Sequence, residues 1–135
     1  MKSVLFAALG LMISGAVLAD TQHYLRRDGN HVQHLKITRI GDDVDASMDV
    51  NFEATGNAEE GKKPCEAEVS GDAKATGENE ITLRKQIEGE AKHCVLKIAL
   101  SSEGAKVEQS PECGYYLGGS ICHFDSDGKE LNRIK

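Results

Sequence analysis

Four cysteines and five histidines hold most of the chemistry that this 135-residue sequence can offer. The cysteines are Cys65, Cys94, Cys113 and Cys122. An even set of thiols can form disulfides, hold a metal or supply a nucleophile. No Cys-x-x-Cys spacing occurs, which weighs against a zinc centre made from these thiols with His93 and His123. In an oxidising compartment the same four form two disulfides, with three possible connectivities. The preferred pairs are Cys65–Cys94, near the starts of two strands and on their apolar faces, and Cys113–Cys122, closing a short loop. Paired cysteines leave no free thiol to act as a nucleophile.

The histidines read as surface residues. His31 and His34 are three apart. On a helix they would share a face, but on a strand they point to opposite sides and cannot chelate one ion together. His93 and His123 each adjoin a cysteine. They become neighbours on the outer face, as a candidate metal or pH-sensitive pair, only if Cys94 bonds to Cys122. No metal and no cofactor is therefore expected.

Two further motifs come to little. Asp125-Ser126-Asp127-Gly128 resembles the start of a calcium loop. The later oxygen ligands and the bidentate Glu at position twelve are missing, so the stretch reads as a hairpin turn. Ser120 lacks the following glycine that a nucleophile elbow needs. No Ser/His/Asp set stands out, and no catalytic residue is assigned. The expectation is a protein that is not an enzyme.

The best binding candidate is the loop carrying Tyr115, Tyr116, Gly118, Gly119 and Ser120. Two adjacent tyrosines flanked by glycines and cysteines are well placed to be contact residues. The plainer alternative is that one tyrosine caps the end of a barrel and the other is incidental.

The elements that must position these residues follow from compartment and pattern. Residues 1–19 carry one basic residue, Lys2, then an apolar run ending in Val17-Leu18-Ala19. This is the form of a cleaved signal peptide. The expected product is one exported domain over residues 20–135, periplasmic or else secreted, with no membrane insertion after the signal is removed. The whole chain has 22 acidic residues and a formal charge of −6, and loss of Lys2 takes that to −7. Such a balance argues against nucleic acid and anionic membranes, and it permits a basic partner, whose approach it would steer. The chain has no tryptophan, so a base-stacking platform is not expected.

Within the domain, short alternating runs are separated by turn signals. Val32–Ile40 reads as a strand. Val44, Ala46, Met48, Val50 and Phe52 then point one way, against Asp45, Ser47, Asp49, Asn51 and Glu53. Further strands are expected from Pro64, about Ile81 and Leu83, from Cys94 to Ser101, about Val107, at Ile121–Phe124 and at Leu131–Ile134. Asp20–Asn30 reads as a leader or an irregular first strand. Seven to eight short strands at this spacing predict an all-β antiparallel meander, closed as a small barrel or folded as a sandwich and stapled by two disulfides.

The signal peptide, the four-cysteine all-β layout and the ending Gly-Ala-Lys-Val…Glu-Cys-Gly-Tyr-Tyr…Cys-His-Phe-Asp resemble small exported proteobacterial proteins. Some of these are loosely grouped with periplasmic lysozyme inhibitors. The resemblance covers about Cys94 to Lys135. It implies a monomeric binding protein whose partner is a basic enzyme such as a lysozyme, or an envelope protein. The Ser-Gly-initiated loop of those inhibitors has no counterpart in this sequence, so no functional residue is carried over. The alternatives are a periplasmic protein binding a small ligand or metal, through the barrel mouth or the histidines, and a structural or accessory envelope protein.

Overall fold

A computed structural model describes residues 19–53, 64–118 and 121–134. Eight antiparallel strands follow one another around a closed barrel. They are β1 (Asp20–Asp28), β2 (His31–Ile40), β3 (Asp43–Phe52), β4 (Cys65–Gly77), β5 (Glu80–Gln86), β6 (His93–Leu100), β7 (Gly104–Gln109) and β8 (Leu131–Ile134). Of the two architectures the pattern allows, the chain adopts the barrel. Closure is completed where β8 pairs with both β1 and β7.

Alternation explains the wall. Along β3, Ala46, Met48, Val50 and Phe52 are buried, while Asp45, Ser47, Asp49 and Asn51 lie on the outer side. The same period puts Leu35 and Ile37 of β2, Leu96 and Ile98 of β6, and Val107 of β7 inside. An eight-stranded barrel is just wide enough for its side chains to fill it. Tyr24, Met48, Leu83, Phe124 and Leu131 join that filled interior. The Asp20–Asp28 stretch is a full nine-residue strand, not a leader, paired along its whole length with β2.

The region between β7 and β8 departs from the expectation. Pro111–Cys113 forms a single 3-10 turn, and Gly114–Leu117 a one-turn helix, α1. Ile121–Phe124, read from the sequence as a strand, is instead the start of a strap that crosses one barrel end. Side chains hold its main chain where strands normally would. The Gln33 amide of β2 donates from Nε2 to the carbonyls of His123 (2.9 Å) and Asp125 (2.8 Å). The Oε1 of Gln109 in β7 accepts from the N–H groups of Phe124 (2.7 Å) and Asp125 (3.2 Å). Ser126 Oγ accepts from the Val107 N–H at 3.0 Å. Asp127 and Gly128 both take positive φ, 57° and 76°, and make the tight turn that the Asp-Gly pair predicts.

The disulfides join Cys65 to Cys122 and Cys94 to Cys113, with Cα–Cα distances of 6.2 and 4.4 Å. This corrects the preferred pairing, Cys65–Cys94 and Cys113–Cys122. Cys65 and Cys94 do sit near the starts of inward-facing runs, but β5 lies between their strands. Two strand spacings amount to about 9.6 Å, beyond the reach of a disulfide. Cys113, at the end of the 3-10 turn, meets β6. Cys122, in the strap, meets β4.

Candidate functional site

Three groups of side chains stand out, and the first is the tyrosine segment. It is pinned at both ends, to β6 through Cys113 and to β4 through Cys122. Gly118 at φ 61° ends α1 in the left-handed conformation that glycine tolerates. Tyr115 is 58% exposed, more than any other large apolar side chain among the described residues. Tyr116 packs against the core, its ring edge-on to Tyr115 with centroids 5.2 Å apart. Burial, aided by Tyr115 and Glu88, pushes the Tyr116 hydroxyl above the ordinary tyrosine value. One tyrosine thus anchors the cap and the other is presented outward. Beside Tyr115 runs a shallow groove lined by Ile87, Glu90, Lys92, Pro111 and Glu112. Gly119 and Ser120, the other two members of the expected loop, lie outside the described residues.

The second group is under the strap. His31, expected at the surface, is only 7% exposed. It starts β2 on the inward side, where the strap covers it. Its ring stacks on His123 with centroids 4.5 Å apart, and its Nε2 accepts the His123 N–H at 3.4 Å. His123 Nδ1 donates to the Asp125 carbonyl at 2.7 Å. Burial holds the His31 imidazole below its ordinary value, and His123 and Arg26 add to the effect. Asp28 and Asp127 oppose it. The Oε1 of the fully buried Gln33 has no partner among the described residues.

The third group is on the outer wall, where β1, β2, β3 and β4 run side by side. His34 faces outward, as its strand position predicts. Its Nε2 is 3.0 Å from Nδ1 of His23, and its Nδ1 is 3.6 Å from Oδ2 of Asp49. The ring planes differ by 6° and the centroids are 5.1 Å apart. The nitrogen–nitrogen gap takes up most of that distance, so the rings meet edge to edge and not face to face. Across the next ladder, Asp49 faces Glu68 and Asp45 faces Asp72. A proton shared with Asp49, and the charge on Asp49, hold the Glu68 carboxyl above the ordinary range. Asp72 does the same to Asp45.

His93 is partly exposed at the start of β6, and His123 has His31 as its neighbour. The pair that sequence reasoning missed is His23–His34. Its signal was the turn at Gly29–Asn30. Folding the chain there sets Leu25 opposite His34 and leaves His23 diagonal to it. Among the described residues, no group of three or more side chains is arranged to hold a metal, and no helix is long and apolar enough to cross a membrane. Compared with models of known families, with curated proteins and with solved structures, the chain matches none.

Proposed function

We propose that this chain is an exported, non-enzymatic binding protein that docks a basic partner through its disulfide-pinned cap. The observation that carries this reading is Tyr115, a ring 58% exposed on a turn tied to the barrel at both ends. A large, rigid, amphipathic ring held in place loses little entropy on binding, and such rings dominate interface energetics. Glu90 and Glu112 beside it outnumber Lys92, and with the formal charge of −6 they suit a cationic surface. The filled barrel interior favours an external contact over an enclosed ligand. The two disulfides agree with an extracellular or periplasmic setting.

The concrete version is inhibition of a lysozyme, and the test is direct. Purified protein is added to c-, g- and i-type lysozymes, and residual activity is measured. The expected result is inhibition of at least one type, weakened tenfold or more by Tyr115→Ala and slower in onset at high salt. Unchanged activity in all three removes the lysozyme version. Inhibition that Tyr115→Ala leaves intact removes the cap.

A further inference from the structure

The groove beside Tyr115 combines an apolar floor, carboxylates and an open aromatic ring. We infer that it receives an arginine side chain, so that the partner's contact residue at the cap is a guanidinium. The inference deepens the docking reading and rests on it. The walls come first. One is the turn from β5 to β6, whose main chain closes on itself. The Ile87 N–H donates to the Lys92 carbonyl at 2.9 Å, and the Glu90 N–H to the Ile87 carbonyl at 3.0 Å. Gln86 Nε2 donates to the Glu90 carbonyl at 3.0 Å. The other wall is the 3-10 turn with α1. The two are tied at their root by the Cys94–Cys113 bridge. The Ser110 N–H also donates to the Val95 carbonyl, and the Val95 N–H to Ser110 Oγ, both at 2.9 Å. A groove between braced walls needs little ordering when it is filled.

The lining matches arginine part by part. Buried Ile87 and Pro111 give a floor for the methylene stem. Glu90 and Glu112 are exposed, and neither carboxylate has an ion-pair partner among the described residues. Glu88, close enough to help raise the Tyr116 hydroxyl, adds a third negative charge. Lys92 lines the groove too and opposes them, leaving the balance negative. The Tyr115 and Tyr116 rings stand at 88° to one another, so Tyr116 covers at most one face of Tyr115. A guanidinium is planar and weakly hydrated. It can lie on the open ring face while its N–H groups donate to the carboxylates. A lysine ammonium is compact and strongly hydrated, and it gains less from the ring. At about 350 Å³ the groove has room for one long side chain.

The test titrates two blocked tripeptides, Gly-Arg-Gly and Gly-Lys-Gly, into isotope-labelled, disulfide-bonded protein and follows the amide resonances. The expected result is one saturable set of shifts at Glu90, Lys92, Glu112 and Tyr115, with the arginine peptide about threefold tighter than the lysine peptide. Tyr115→Leu brings the two peptides to equal affinity. Glu90→Gln with Glu112→Gln lowers arginine affinity about fivefold. Lys92→Gln raises it, because a competing cation is gone. Asp43→Asn leaves it unchanged, since Asp43 starts β3 at the barrel end opposite Phe52 and the bridged Cys65. All these side chains are at the surface, and circular dichroism checks that each variant keeps its strands. No shifts at the groove, equal affinity for the two peptides in the wild type, or arginine binding indifferent to the glutamate changes would each overturn the assignment. The docking reading fails separately. If the arginine peptide binds here while every lysozyme stays active, the groove keeps its guanidinium and the lysozyme falls. If a lysozyme is inhibited through Tyr115 while neither peptide shifts the groove, the cap docks and the arginine assignment falls.

Discussion

His31 sits where β2 passes under the strap, and its hydrogen bond requires it to be neutral. Its Nε2 accepts from the His123 main chain, so it must keep a lone pair there. Burial, the stacked His123 ring and Arg26 all disfavour a charge on it, against Asp28 and Asp127. The folded protein therefore holds its proton less tightly than the unfolded chain, whose imidazole titrates near 6.5. The sign follows. The stability contributed by neutral His31 is fully present above that unfolded value and is lost as pH falls through the lower folded one. Urea midpoints measured from pH 7.5 down to pH 5 should decline, and His31→Phe, which keeps a stacking ring without a titrating nitrogen, should flatten the decline. A wild-type slope that His31→Phe leaves unchanged would assign the loss to another group. The inward place of this residue was legible from β2 alternation. Its burial was not, because burial depends on a strap that no local pattern announces.

That strap sets the limit of sequence reading among the elements. Long alternating runs such as Asp43–Phe52 declare themselves, because one face is apolar and the other wet. Ile121–Phe124 alternates too, with Cys122 and Phe124 buried and Ile121 exposed. Its neighbours, however, offer side-chain amides from Gln33 and Gln109 in place of a β-ladder. Alternation reports which way side chains point and not what the backbone bonds to. Helix α1, at four residues, is too short to show a helical period. The disulfide partners were equally hidden, since they depend on where the strap and the 3-10 turn land. The two bridges should differ in weight. Cys65–Cys122 spans 57 residues and Cys94–Cys113 spans 19. In the chain-entropy model these loops correspond to roughly 4 and roughly 3 kcal/mol. The Cys65→Ala/Cys122→Ala protein should therefore lose about 1 kcal/mol more than Cys94→Ala/Cys113→Ala in denaturant titrations. The reverse order would mean that the Cys94–Cys113 bridge, buried under the cap, acts mainly through native packing.

Across the whole molecule, charge is spent where the fold does not ask for it. The outer face of β3 and β4 sets Asp45 opposite Asp72 and Asp49 opposite Glu68. Like charges directly opposite in an antiparallel pair destabilise it. The molecule answers in part by sharing protons, which raises the Asp45 and Glu68 carboxyls above their ordinary range. Here the sign is opposite to that of His31. A raised folded value means that stability falls as pH rises through it, so at neutral pH both pairs carry their full repulsion. Asp72→Asn should raise the urea midpoint at pH 7. Added salt, which screens exposed charges, should stabilise the wild type more than the variant. The same substitution tests where the proposed basic partner would be drawn in. If the wall steers the encounter, Asp72→Asn slows association at low salt and leaves dissociation unchanged, because a charge at the rim acts on the on-rate. If association is unaffected while stability rises, the attraction comes from the acidic residues beside Tyr115, and the like-charge ladders serve something other than docking. If Asp72→Asn lowers the midpoint instead, repulsion between Asp45 and Asp72 does not limit stability at neutral pH.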